Sequence, residues 1–159
     1  MEIKVGMADM NICRAPDSII TLGLGSCVGA VLYDPVTKIS GMVHVMLPDS
    51  TSIANNSNRA KFADTGIEEL LKLVLANGAS RERLVAKIAG GAQMFSVSSN
   101  SPMLRVGERN VEAVKNKLNK LNIRLVAEDT GKNYGRTVVF FPATGEYHIR
   151  AIGKEPIII

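Results

Sequence analysis

The sequence predicts an α+β domain: a layered α/β arrangement, rich in strands and hairpins, with two main helices. Two patterns carry this prediction. Short β-branched or apolar runs crowd the first half and the tail, and two stretches with apolar residues three and four apart lie between them. Strands and helices do not alternate strictly, so a doubly wound parallel sheet is not expected. The chain has 159 residues, within the roughly 100–200 of one domain. No internal repeat or linker divides it, so residues 1–159 read as a single domain. Apolar residues make up 46% and charged residues 21%, close to the globular averages of about 45–50% and 25%. A disordered, collagen-like or coiled-coil chain is thereby excluded.

Taken in order, Ile3 and Val5 alternate with polar residues, and Ser18-Ile19-Ile20-Thr21-Leu22 is short and β-branched, so both read as strands. After the break Gly23-Leu24-Gly25-Ser26, an apolar run from Cys27 to Tyr33 meets the turn signal Asp34-Pro35-Val36-Thr37-Lys38. A second apolar run follows from Ile39 to Leu47, and the two form a hairpin. Pro48-Asp49-Ser50 ends it, and a polar loop runs from Ser52 to Asn58. Phe62, Ile67, Leu70, Leu71, Val74 and Leu75 share one helical face, stopped by Asn77-Gly78. Leu84 to Ala89 is strand-like and runs into Gly90-Gly91. Val111, Val114, Leu118 and Leu121 form a second helical stripe, with Lys115, Lys117 and Lys120 on its solvated side. Strands are expected from Ile123 to Ala127, Thr137 to Phe141 and Glu146 to Ile152, the last two joined by Pro142-Ala143-Thr144-Gly145.

Several function classes fall away on composition. No run approaches the ~18 apolar residues of a membrane span. The start, Met1-Glu2-Ile3-Lys4, lacks a signal-peptide pattern, so a cytoplasmic protein with reduced thiols is expected. Two cysteines, Cys13 and Cys27, and two histidines, His44 and His148, cannot make a Cys/His zinc site with ordinary pair spacing, and no metal is expected. The net charge of +4 permits an acidic partner, but without Trp or basic-aromatic alternation nucleic-acid binding is not expected.

Chemistry is best sought at Cys27. It follows Gly-Leu-Gly-Ser, where flexible backbone can turn N–H groups toward one point and stabilise a thiolate or an oxyanion. A free cysteine can equally be a small buried hydrophobe. His44 lies in Gly41-Met42-Val43-His44-Val45-Met46-Leu47, a strand with no other polar side chain, so its ring must have a specified partner. A hairpin loop centred on Val36-Thr37 places His44 opposite Gly29 and diagonal to Cys27 on the same face. Diagonal neighbours lie about 7–8 Å apart at the backbone, within reach of a thiol–imidazole contact. A one-residue longer loop would break this register. A third group to orient the imidazole is needed; Thr21 is the nearest inward polar candidate, although a lone strand threonine is ordinarily structural.

The glycines offer a competing site. Gly23-x-Gly25-x-x-x-Gly29 has one residue too many for a dinucleotide loop and precedes a strand, and Gly90-Gly91-Ala92 has only two glycines. A phosphate-binding module using Gly23 to Gly29 stays open. Cys13, beside an Arg14 that could lower its pKa, reads as structural, and His148 falls on an outer, solvated face.

Leu24-Gly25-Ser26-Cys27-Val28, then Gly41-Met42-Val43-His44 running into Met46-Leu47-Pro48, resembles the chemoreceptor glutamine deamidase family (CheD) of bacterial and archaeal chemotaxis. The likeness continues through Phe62-Ala63-Asp64-Thr65-Gly66-Ile67, Lys87-Ile88-Ala89-Gly90-Gly91-Ala92, Gly107-Glu108-Arg109-Asn110 and Gly135-Arg136. It departs at Asp129-Thr130-Gly131-Lys132, where the family commonly has a second glycine in place of Lys132. The resemblance implies a cysteine hydrolase converting chosen chemoreceptor glutamines to glutamates, with Cys27 as nucleophile, His44 as base and Thr21 as third member. It also implies a layered fold similar to toxin-type cysteine deamidases. The partners it implies are the cytoplasmic helices of methyl-accepting chemotaxis proteins and the chemotaxis phosphatase CheC. In such a reaction the backbone N–H groups of Gly25, Ser26 and Cys27 would hold the oxyanion, with no metal or organic cofactor required. Arg81, Arg83, Lys87, Lys115, Lys117 and Lys120 would suit an acidic helical partner. A non-catalytic adaptor that docks the phosphatase is the alternative within the same resemblance.

Overall fold

A computed structural model describes residues 1–94 and 105–159. Its strands are β1 (Glu2–Val5), β2 (Met10–Arg14), β3 (Ser18–Leu24), β4 (Val28–Asp34), β5 (Ile39–Val45), β6 (Val85–Gly90), β7 (Arg124–Thr130), β8 (Arg136–Phe141), β9 (Glu146–Arg150) and β10 (Ile157–Ile158). Its helices are α1 (Ala63–Ala76) and α2 (Val106–Lys120). One sheet has the order β1-β3-β8-β9-β10 and the other β2-β5-β4-β6-β7.

These elements form three layers. Both helices cover one face of the second sheet, packing Ile67, Leu70, Val74, Val114 and Leu118 against Val28, Ala30, Leu32, Val43 and Val45. The opposite face of that sheet meets the first sheet through Val31, Tyr33 and Met42 against Ile19, Leu24, Val138, Phe140 and Tyr147. The sheet in the middle is therefore buried on both sides. This explains why β4 and β5 are buried at every position and read as continuous apolar runs. The expected α+β fold with hairpins and two main helices is what the chain adopts.

The hairpin register follows the sequence: Gly29 pairs with His44 and Asp34 with Ile39, across a loop in which Lys38 takes a left-handed φ of 59°. Several elements differ from expectation. Strands β2 and β10 lie outside the expected set, β7 runs on to Thr130 and β9 stops at Arg150. Strand β2 pairs antiparallel with β5 at the sheet edge, and its mixed Asn-Ile-Cys-Arg pattern is that of a half-covered edge. Helix α2 begins at Val106, ahead of its apolar stripe, because its first turns face the loop that follows β6 rather than the core alone. Strand β3 runs on through the glycine break to Leu24, where the pairing with β8 shifts register between Thr21 and Leu24 and Gly23 takes a φ of 71°.

Candidate active site

His44 sits on the face of β5 that looks toward the first sheet. Its Nδ1 lies 2.7 Å from Thr21 Oγ1 on β3, and both residues are buried. The same hydroxyl donates to the Val5 carbonyl of β1 at 2.8 Å. A threonine hydroxyl has one proton, and that proton is on the Val5 bond. Thr21 Oγ1 can then only accept from His44, which places the imidazole proton on Nδ1. The lone pair is left on Nε2, a buried atom with no hydrogen-bond partner among the described residues. Three backbone and side-chain groups from three strands thus fix a tautomer, the prerequisite for a histidine acting as a base.

Cys27 stands one residue before β4, two residues from Gly29 and so diagonal to His44, and it packs against the inter-sheet cluster on the face His44 shares. A Cβ on Gly29 would come within 2.8 Å of the Tyr147 hydroxyl and 3.1 Å of Leu24 Cδ1, so glycine is what fits against these two side chains. No hydrogen bond joins the thiol to Nε2 in the resting structure. Burial pushes the Cys27 thiol up, only partly offset by its own backbone N–H, and burial pushes the His44 imidazole down. Burial thus works against both the expected thiolate and an imidazolium. Cys27 is half-buried at a cleft of about 660 Å³ that Gly23, Gly25, Ser26, Met46, Leu47 and Lys61 also line.

The loop carrying Cys27 is held on both sides. The Gly91 N–H donates to the Cys27 carbonyl at 2.8 Å and the Ala92 N–H to the Gly25 carbonyl at 2.9 Å. A side chain on Gly90 would strike the Cys27 carbonyl, and Gly90 also takes a φ of 110°. Gly90-Gly91-Ala92, weighed above as a phosphate loop, is a close-approach seat for the Cys27 backbone. The Gly25 N–H, expected to face an oxyanion, donates to the Gly23 carbonyl at 3.1 Å in this structure. Strand β4 follows the Gly23–Gly29 loop, so that loop opens no helix N-terminus to a phosphate.

Residues 46–151 match the family described as CheD chemotactic sensory transduction. A protein of Lachnoclostridium phytofermentans named probable chemoreceptor glutamine deamidase CheD is 70% identical over 152 residues, covering 96% of this chain and 94% of its own. A Halalkalibacterium halodurans protein named chemoreceptor glutamine deamidase CheD is 55% identical over 151 residues, covering 94% and 93%. A Caldanaerobacter subterraneus protein with the probable form of that name is 54% identical, covering 95% and 93%. The chain belongs to the CheD family.

Other residues marked in the sequence take quieter positions in this CheD-family fold. Cys13 is buried and its thiol is pushed up to about 11 by burial and by Asp17; Arg14 does not lower it, because its guanidinium turns to the Asn77 carbonyl at 2.9 Å. His148 pairs with Glu146 at 3.1 Å on the outer face and packs edge-on to Phe141. The basic set proposed for an acidic partner is largely engaged internally. Arg83 binds Asp34, Lys115 binds Glu128, Lys117 binds Glu68, Lys87 donates to the Gly145 and Ile159 carbonyls, and Arg81 to that of Leu121. Among the described residues no group of three or more His, Cys, Asp or Glu gathers to hold a metal, and no helix is long and apolar enough to cross a membrane.

Proposed function

We propose that the protein deamidates glutamine side chains of chemoreceptors, as the names of its curated relatives state for them. The observation that supports this most directly is the lone pair on His44 Nε2, set by the Thr21 hydroxyl and buried on the face Cys27 shares. In this reading Nε2 takes the Cys27 proton as the thiolate attacks the glutamine amide carbon, forming the C–S bond. The oxyanion is held by the N–H groups of Cys27 and Ser26. Collapse breaks the C–N bond, and the imidazolium returns its proton to the departing ammonia. Water, deprotonated by His44, then cleaves the thioester to leave glutamate and the free thiol. Burial suits this sequence: a neutral imidazole and a neutral thiol transfer the proton only when substrate fills the cleft and completes the geometry.

Cytoplasmic receptor helices are the proposed substrate, the phosphatase CheC is a proposed partner, and the cytoplasm the proposed location. Mass spectrometry of a folded receptor fragment incubated with the protein tests the activity. Particular glutamines should gain the mass of a glutamine-to-glutamate change with equimolar ammonia, thiol alkylation should abolish it, and chelators should not. Cys27→Ser should dock the fragment but turn over negligibly. Deamidation by Cys27→Ser at the wild-type rate, or no ammonia from the wild type, would overturn this assignment.

A further inference from the structure

Asn110, in the second turn of α2, is completely buried. Its Nδ2 donates to two carbonyls from different segments: Ser26, immediately before Cys27, at 2.9 Å, and Met46, just past β5 and His44, at 3.0 Å. One amide thus ties the segment bearing the thiol to the segment bearing the imidazole. Its Oδ1 is buried without a partner among the described residues. An unpaired buried acceptor is itself unfavourable, so the side chain is poorly explained as packing and better explained by where its two donors reach.

The Ser26 carbonyl belongs to the same peptide unit as the Cys27 N–H. A trans peptide is planar, with its C=O and N–H pointing in opposite directions. Drawing the Ser26 oxygen toward α2 therefore turns the Cys27 N–H away from the helix. The Cys27 N–H is the one group that offsets the effect of burial on its own thiol. Among the described residues no backbone carbonyl accepts it.

We propose that Asn110 is a positioning residue that orients the Ser26–Cys27 peptide so that its N–H faces the reacting sulfur and the oxyanion formed there. The assignment rests on the cysteine-hydrolase reading above. Asn110 touches neither thiol nor substrate; it acts through the peptide it holds.

The experiment compares Asn110→Ala, which removes both donors, with Asn110→Ser, whose hydroxyl can replace one. Two readouts are taken on samples matched by circular dichroism. The first is kcat and KM on a folded receptor fragment. Loss of an oxyanion donor lowers kcat by about 10²–10³-fold, and a misaimed donor should lower it by about 10–100-fold in Asn110→Ala and less in Asn110→Ser, with KM within about twofold. The second needs no receptor: the pH profile of iodoacetamide alkylation at Cys27, with Cys13 as internal control. It should move to higher pH in the order wild type, Ser, Ala, while Cys13 stays fixed. A destabilised but correctly aimed loop would not shift Cys27 alone. Wild-type kcat and an unshifted Cys27 profile in either folded variant would overturn the proposal. A shifted alkylation profile with no deamidation even in the wild type would instead uphold the positioning role and sink the proposed reaction. Should Asn110→Ala fail to fold, the graded response of Asn110→Ser decides.

Discussion

Replacing Thr21 by valine isolates the hydroxyl, because the two side chains have nearly the same shape. Thr21 Oγ1 makes two hydrogen bonds in a site only 1% exposed, to Val5 at 2.8 Å and to His44 at 2.7 Å. Valine removes both and leaves the Nδ1–H of a buried imidazole with nothing to bind. An unsatisfied buried polar group costs about 1–3 kcal/mol. The Val5 carbonyl adds a second such loss, partly offset by the methyl that valine contributes to the cluster. A net destabilisation of about 2–3 kcal/mol is expected, which for a domain of this size lowers Tm by about 4–12 °C. The catalytic effect is distinct. Without an acceptor at Nδ1 nothing selects the tautomer that leaves Nε2 unprotonated, and the ring can rotate; kcat should fall about 10–100-fold, the scale of a displaced catalytic group. The loss should be smaller than in Cys27→Ala or His44→Ala, which remove bond-making groups. Thr21→Ser, which keeps the hydroxyl, should recover most of the rate. Melting and turnover are measured on the same preparations at a temperature where every variant is folded. Thr21→Val with wild-type turnover, or Thr21→Ser as slow as Thr21→Val, would refute the proton count that assigns Nδ1–H.

Cys27 should alkylate faster than Cys13, since Cys13 is 1% exposed with its thiol pushed up to about 11, and His44→Ala should slow Cys27 selectively; equal rates unchanged by that substitution would contradict the pairing. Because burial lowers the His44 pKa, the unfolded chain takes up a proton near pH 6.5 while the folded protein does so only at lower pH. Stability should therefore fall as pH drops from 6.5 toward the folded value, a dependence that chemical denaturation should show to be weaker in His44→Leu. Lys132 occupies a left-handed φ of 65° beside Gly131; Lys132→Gly should raise stability by about 0.5–1 kcal/mol, checked by urea denaturation, and an unchanged midpoint would mean that the lysine side chain contributes as much as the strain removes.

The hairpin of β4 and β5 was legible because its signals agree: two apolar runs around a Pro-containing turn; its register depended on the length of that loop, which the fold sets with Gly29 opposite His44. That register also set His44 diagonal to Cys27, whereas Thr21 entered only as the nearest inward polar residue and through the family resemblance. Other features could not be read. Asn110 is one polar residue among several in α2, and only the fold reveals that its second turn passes the ends of two strands. The role of Gly90 was hidden because close approach to a phosphate and close approach to another backbone require the same absent side chain. Lys115 and Lys117 looked available to a partner, but their carboxylates, Glu128 and Glu68, come from other elements and are invisible as neighbours along the chain. The thiol pKa failed for a related reason: flexible glycines suggest converging N–H groups, whereas desolvation by the surrounding layers is set by the whole fold.

The carbonyl that receives the Thr21 proton belongs to Val5, the last residue of β1, an edge strand held in its sheet by parallel pairing with β3 alone. The protonation pattern of a histidine in the middle layer is thus dictated by a short ribbon at the margin of the outer one. Without the Val5 carbonyl the Thr21 hydroxyl would be free to donate to Nδ1, and the imidazole proton would then sit on Nε2. Because Val5 is itself part of the buried inter-sheet cluster, a change at this margin would reach the hydrogen bonds of His44 through the strand that carries that carbonyl.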